Sequence, residues 1–139
     1  MATIPVSTST PAFTTAWAPR LLSVLRIVVA VLFLAHGLVK LFGFPAGAQP
    51  GVVPLMSLFG LAAVLELVGG LALLVGLFTR PVAFVLSGQM AVAYFMVHAP
   101  QGFFPVLNGG ELAIIYCFAF LYLAAAGAGP WSLDAQRAA

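Results

Sequence analysis

Four apolar stretches, at about 21–42, 54–78, 81–98 and 111–128, fill most of this chain, and each is long enough to cross a bilayer. Inside them or at their ends lie Arg26, His36, Lys40, Glu66, His98 and Glu111. A charge in hydrocarbon is costly, so each of these side chains needs a partner or a purpose. Only 6% of the 139 residues are charged, against 63% hydrophobic. A soluble domain carries about a quarter charged residues to hold a wet surface, so most of this chain has lipid for a solvent. The expected fold class is an all-α integral membrane protein, a four-transmembrane-helix antiparallel bundle.

The breaks between stretches are marked chemically. Gly43-Phe44-Pro45, Thr79-Arg80-Pro81, Ala99-Pro100 and the group Gly127, Gly129 and Pro130 each end or turn a helix. Residues 1–19 are Ser/Thr/Pro/Ala-rich and uncharged, without the basic start of a signal peptide, and read as a flexible N-terminal arm. The membrane domain then covers 20–134 and a short tail 135–139. Four spans put both termini on one side. Arg20, Arg26, Arg80 and Arg137 collect there while the other side offers Lys40, so the positive-inside rule makes both termini cytoplasmic. The loops 43–53 and 99–110 face outward. A net charge of +2, scattered along the chain, excludes a nucleic-acid footprint. Cys117 is the single cysteine, which excludes an internal disulfide or a CxxC redox pair.

At about 100° per residue, Arg26, His36, Gly37 and Lys40 share one face of the first span. Glu66 shares a face of the second with Gly69, Gly70 and Gly76, where small residues let another helix approach closely. Counting about 1.5 Å per residue from the outer helix ends brings Arg26 and Glu66 within roughly 6 Å in depth. The expectation is a buried Arg26–Glu66 ion pair. His36, Lys40, His98 and Glu111 all fall within about 10 Å of the outer ends, and Tyr94 shares the face of His98. Together they form an expected polar vestibule open to the outer loops, fit to bind a ligand or relay protons, with the ion pair as its floor. Blander roles stand beside these. Lys40 can snorkel to headgroups, Glu111 can serve the helix dipole, and the histidines can be packed hydrogen-bonding groups. No HxxxH or ExxH spacing supports a metal site, and none is assigned.

The ordered set Arg26…His36-Gly37-Leu38-Val39-Lys40, Glu66-Leu67-Val68-Gly69-Gly70, Gly76-Leu77-Phe78-Thr79-Arg80, Ala93-Tyr94-Phe95 with His98, Gly109-Gly110-Glu111 and Gly127-Ala128-Gly129-Pro130-Trp131-Ser132-Leu133-Asp134 resembles DoxX-family membrane proteins over about residues 20–134. The resemblance implies a four-helix protein of the bacterial inner membrane. It also implies association with membrane oxidoreductases handling sulfur, thiols or oxidative stress, because some relatives are subunits of a thiosulfate:quinone oxidoreductase. Quinone is the cofactor or ligand it suggests. With one cysteine and no cofactor motif, the chain is not expected to catalyse thiol redox chemistry alone. The first expectation is an accessory or quinone-facing subunit of a redox complex, its partners being the bilayer and other membrane subunits or further copies of itself. A non-catalytic assembly subunit and a small-molecule or metal carrier stay open beside it.

Overall fold

A computed structural model describes residues 12–138, and every described element is helical. The helices are α1 (Ala12–Phe42), α2 (Leu58–Val75), α3 (Thr79–Ala93), α4 (Pro105–Asn108), α5 (Glu111–Ala126) and α6 (Leu133–Ala138). A π-helical turn at Tyr94–His98 and a 3-10 turn at Ala99–Gln101 prolong α3. Among the described residues, three helices are long and apolar enough to cross a membrane: α1, α2 and the continuous Thr79–Gln101. The apolar α5 is shorter, at 16 residues.

The helix ends differ from the sequence expectation for identifiable reasons. α1 begins at Ala12, not after the arm expected over 1–19; residues 1–11 lie outside the described residues. Phe13 packs on Trp17 with ring centroids 6.0 Å apart, and Arg20 lies over the Trp17 ring at 5.4 Å. Such i+4 and i+3 pairs carry the helix through Pro19 into its first turns. α2 starts at Leu58 instead of Pro54 because Ser57 acts as its N-cap, accepting from Gly60 N at 3.0 Å while its hydroxyl donates to Pro54 O at 2.6 Å. It ends where Gly76 turns left-handed (φ 69°). A Cβ on Gly76 would lie 2.4 Å from the Ser132 side chain, so the turn also needs glycine for space. The tail expected over 135–139 instead belongs, through Ala138, to α6.

α1 packs against α2 and α3 against α5, each pair antiparallel, with a further contact between α2 and α3. The α1–α2 seam is close: a Cβ on Gly37 would meet Leu67 N at 2.9 Å and Ala63 O at 3.1 Å, both backbone atoms. The core lies where the two pairs meet, built on Ala30, Phe33, Leu73, Ala83, Leu86, Met90, Tyr116, Phe120 and Leu123. Phe33 sits edge-on to Phe120 at 4.8 Å, a favoured aromatic geometry. The outer faces of α1, α2, α3 and α5 carry exposed Val, Leu, Ile and Phe, as lipid-facing helices do.

One end of the bundle is closed by arginines and a carboxylate. Arg26, fully buried, donates Nε to Ala128 O (2.9 Å), Nη1 to Leu74 O (2.7 Å) and Leu73 O, and Nη2 to Trp131 O (2.5 Å). The guanidinium thereby serves carbonyls at the end of α2, of which Leu73 O also accepts from Gly76 N at 3.1 Å. Arg80 treats α5 likewise, donating to Ala124 O and Ala125 O. Asp134 accepts from Phe78 N and Thr79 N, both at 2.8 Å, and so caps α3 from the far end of the chain.

Candidate functional site

The expected Arg26–Glu66 pair does not form. The contacts of Gly37 with Ala63, Glu66 and Leu67, and of Gly70 with Leu34, set the α1–α2 register. Gly37 therefore stands level with Glu66, whereas the sequence estimate had aligned the outer helix ends and misplaced Glu66 by about 10 Å. Arg26 lies about 16 Å further along α1, where backbone carbonyls take its donors. Both side chains are nevertheless buried between helices, at 0% and 1% exposure, rather than turned to lipid.

Glu66 pairs instead with Lys40. The Nζ–Oε1 distance is 2.5 Å, with side-chain exposures of 15% and 2%. Gln89 of α3 joins them, its Nε2 donating to Glu66 Oε1 at 3.2 Å and to Ala62 O at 3.3 Å. Two acceptors in this cluster, Glu66 Oε2 and Gln89 Oε1, are buried and have no hydrogen-bond partner among the described residues. A buried carboxylate accepts on two oxygens, and leaving one unpaired costs of order 1–3 kcal/mol.

The Lys40–Glu66 pair borders two cavities. The first, about 260 Å³, is lined by Phe33, His36, Lys40, Glu66, Met90, Ala93, His98, Gly109, Leu112, Ala113 and Tyr116. It brings together four groups from the expected vestibule and its floor: His36, Lys40, His98 and Glu66. His36 Nδ1 lies 3.0 Å from Leu32 O, and His98 Nδ1 lies 3.0 Å from Asn108 O. A carbonyl only accepts, so each Nδ1 carries the hydrogen, and Nε2 is the ring nitrogen left to gain or lose a proton. The π-helical turn delivers His98 to this wall, in keeping with the habit of such turns to occur at sites. Tyr94 is one layer back, its ring stacked on His98 at 6.4 Å and 24°.

Glu111 is the exception. It opens α5 exposed and outside the wall of this cavity, where its charge complements the positive end of the helix. Tyr116 takes the place on α5 that the expectation had given Glu111, 5% exposed and edge-on to the His36 ring at 5.8 Å. The signal for it was present. Ala113, Tyr116, Phe120 and Leu123 recur at helical spacing and form the buried stripe of α5.

The second cavity, about 460 Å³, lies on the other side of the pair between α2 and α3, and its lining is mostly apolar, including Leu58, Phe59, Leu65, Val92 and Met96. Its polar side chains are those of Lys40, Glu66 and Gln89. Several of its wall residues, Leu58, Phe59, Leu61, Val85, Val92 and Met96, are also exposed on the lipid-facing surface.

A helical chain with bilayer-length apolar helices and a buried ionisable cluster between them is a membrane protein with an internal polar site. The DoxX family model matches residues 21–99, more than half of the chain, and the protein belongs to the DoxX family. A Haemophilus influenzae protein described only as uncharacterized is 48% identical over 122 residues, 84% of this chain and 90% of its own length. A second uncharacterized protein of the same organism is 38% identical over 69 residues, 50% of this chain and 46% of its own. No solved structure matches significantly.

Proposed function

We propose that this DoxX-family protein is a quinone-facing accessory subunit of a membrane redox assembly. In this reading it crosses a bacterial inner membrane four times with both termini in the cytoplasm. Its partners are the subunits that supply electrons, with sulfur, thiol or oxidative-stress chemistry as their field. The observation that carries the reading is the polar cavity of His36, Lys40, Glu66, His98 and Tyr116, backed by an apolar groove across the Lys40–Glu66 pair. Quinone head groups present carbonyl acceptors and, when reduced, hydroxyl donors. Lys40 Nζ supplies a cationic donor for a carbonyl oxygen. The Nε2 atoms of His36 and His98 supply proton acceptors on the same wall. The gathering of Arg26, Arg80 and Arg137 at one end of the bundle, with Lys40 toward the other, supports the assigned orientation.

Gentle extraction of the protein in native lipid, followed by mass spectrometry of its organic-soluble content, is the test. A quinone carried in near-stoichiometric amount, and diminished by His36→Ala and His98→Ala, is expected. Absence of quinone from the native preparation, with redox phenotypes untouched by both substitutions, refutes the reading.

A further inference from the structure

The groove between α2 and α3 plays no part in that reading beyond backing the cavity, yet two of the residues that line it, Glu66 and Gln89, carry the acceptors without partners. Glu66 is 1% exposed, and its Oε2 and Gln89 Oε1 belong to residues that line this groove. Glu66 Oε1 receives both Lys40 Nζ and Gln89 Nε2, and the same Nε2 reaches Ala62 O. What these two buried oxygens lack is a hydrogen donor. Its walls, including Phe59, Leu65, Val92 and Met96, ask for hydrocarbon. A ligand answering both demands has a hydroxyl at one end and a single apolar chain at the other.

We propose that this groove is a lateral subsite that takes the reduced, dihydroxy form of a long-chain quinone directly from the bilayer. One hydroxyl donates to Glu66 Oε2 or Gln89 Oε1, and the chain lies between α2 and α3. This rests on the quinone reading above and adds the redox form and the route of entry. An oxidised quinone presents only carbonyl oxygens and leaves both acceptors unpaired, so it is the poorer ligand here. The polar cavity lies beyond the Lys40–Glu66 pair, on the side of the histidines. The subsite thus holds the ligand one ion pair away from groups that accept protons.

The test uses the purified full-length protein in lipid nanodiscs under anaerobic conditions with four probes. These are a decyl-substituted hydroquinone, its oxidised quinone, its O,O-dimethyl ether and a hydroquinone without the chain. Calorimetry is expected to show the decyl hydroquinone binding roughly ten- to hundredfold tighter than the quinone or the ether, the loss that follows when a hydrogen bond to a charged acceptor is removed. Gln89→Met should narrow that gap. Val92→Trp should weaken the chain-bearing probes and spare the chainless one; Val92 is 51% exposed, so the added ring fills the groove without entering the core. Equal affinity for hydroquinone, quinone and ether in the unmodified protein overturns this inference alone and leaves the quinone reading of the cavity standing. No binding of any chain-bearing probe overturns both it and the quinone reading. The comparison in the unmodified protein decides the matter even if a variant fails to fold.

Discussion

Removing Lys40 should destabilise the bundle far more than removing it together with its partner. Lys40→Met leaves the Glu66 carboxylate, 2% exposed at its side chain, with Gln89 as its remaining partner. Breaking a buried pair by deleting one member costs about 3–5 kcal/mol, because the surviving charge stays in a low-dielectric site. Replacing both members by apolar groups of similar size is close to neutral. Lys40→Met with Glu66→Leu should therefore recover most of the loss, giving a coupling of about 2–4 kcal/mol between the two positions. Arg26 provides the control. It lies about 16 Å along α1 from the level of Glu66, and substitutions that far apart add to within about 0.5 kcal/mol. Arg26→Met should therefore be costly and yet additive with Glu66→Leu. Unfolding by SDS titration in mixed micelles, read by circular dichroism, yields the free energies for both cycles. Coupling between Arg26 and Glu66, or additivity between Lys40 and Glu66, would refute the register on which the site depends.

Three further expectations can be checked in the same system. Gly37→Ala should cost about 1–3 kcal/mol, because its methyl group meets the backbone of α2 at 2.9 Å and 3.1 Å and the helices must part; a neutral result would show the seam to be loose. Arg26→Lys should be milder than Arg26→Met, since an ammonium can still serve some of the four carbonyls that the guanidinium reaches. Asp134→Ala should cost about 1 kcal/mol through loss of the cap on α3. Partial burial alone would raise the Asp134 carboxyl, but the N–H groups of Thr79 and Phe78 and the charge of Arg137 hold it below its ordinary value of 3.8. Its stabilising contribution is accordingly complete above that value and lost as pH falls through the lower folded one. A pH titration in which Asp134→Ala and the unmodified protein converge near neutral pH would contradict this sign.

Much of the fold was legible in the sequence because hydropathy and helix breakers act locally. Gly127 ends its segment where expected, and the family match supports the resemblance on which the reading rested; α2 instead stops at Gly76, short of the expected Phe78, and the helical turns after α3 run through Ala99-Pro100 to Gln101. The side chains of the polar cluster were legible as well, since His36, Lys40, Glu66 and His98 share inward faces. Their pairing was not. It depends on how far α1 slides along α2, and that is set by Gly37 lying against the backbone of Ala63 and Leu67, a contact between distant segments with no local signature. Arg26 misled for a related reason. A lone arginine beside a lone glutamate invites an ion pair, but the unsatisfied carbonyls of a helix end and of the tail can serve a guanidinium just as well. Glu111 was drawn into the vestibule by its depth alone, although depth does not decide which way a residue at the first turn of a helix points.

Lys40 is the only lysine in the chain, and Glu66 and Glu111 are its only glutamates. A Glu111→Gln protein labelled with 15N at the lysine Nζ and 13C at the glutamate carboxyl therefore contains one spin pair of interest. Rotational-echo double-resonance NMR of that protein in lipid bilayers measures the pair directly. Strong dephasing, as the 2.5 Å Nζ–Oε1 contact requires, is the predicted result; undiminished carboxyl signal would mean that Lys40 and Glu66 do not meet, and that the cavity and the groove do not share a wall.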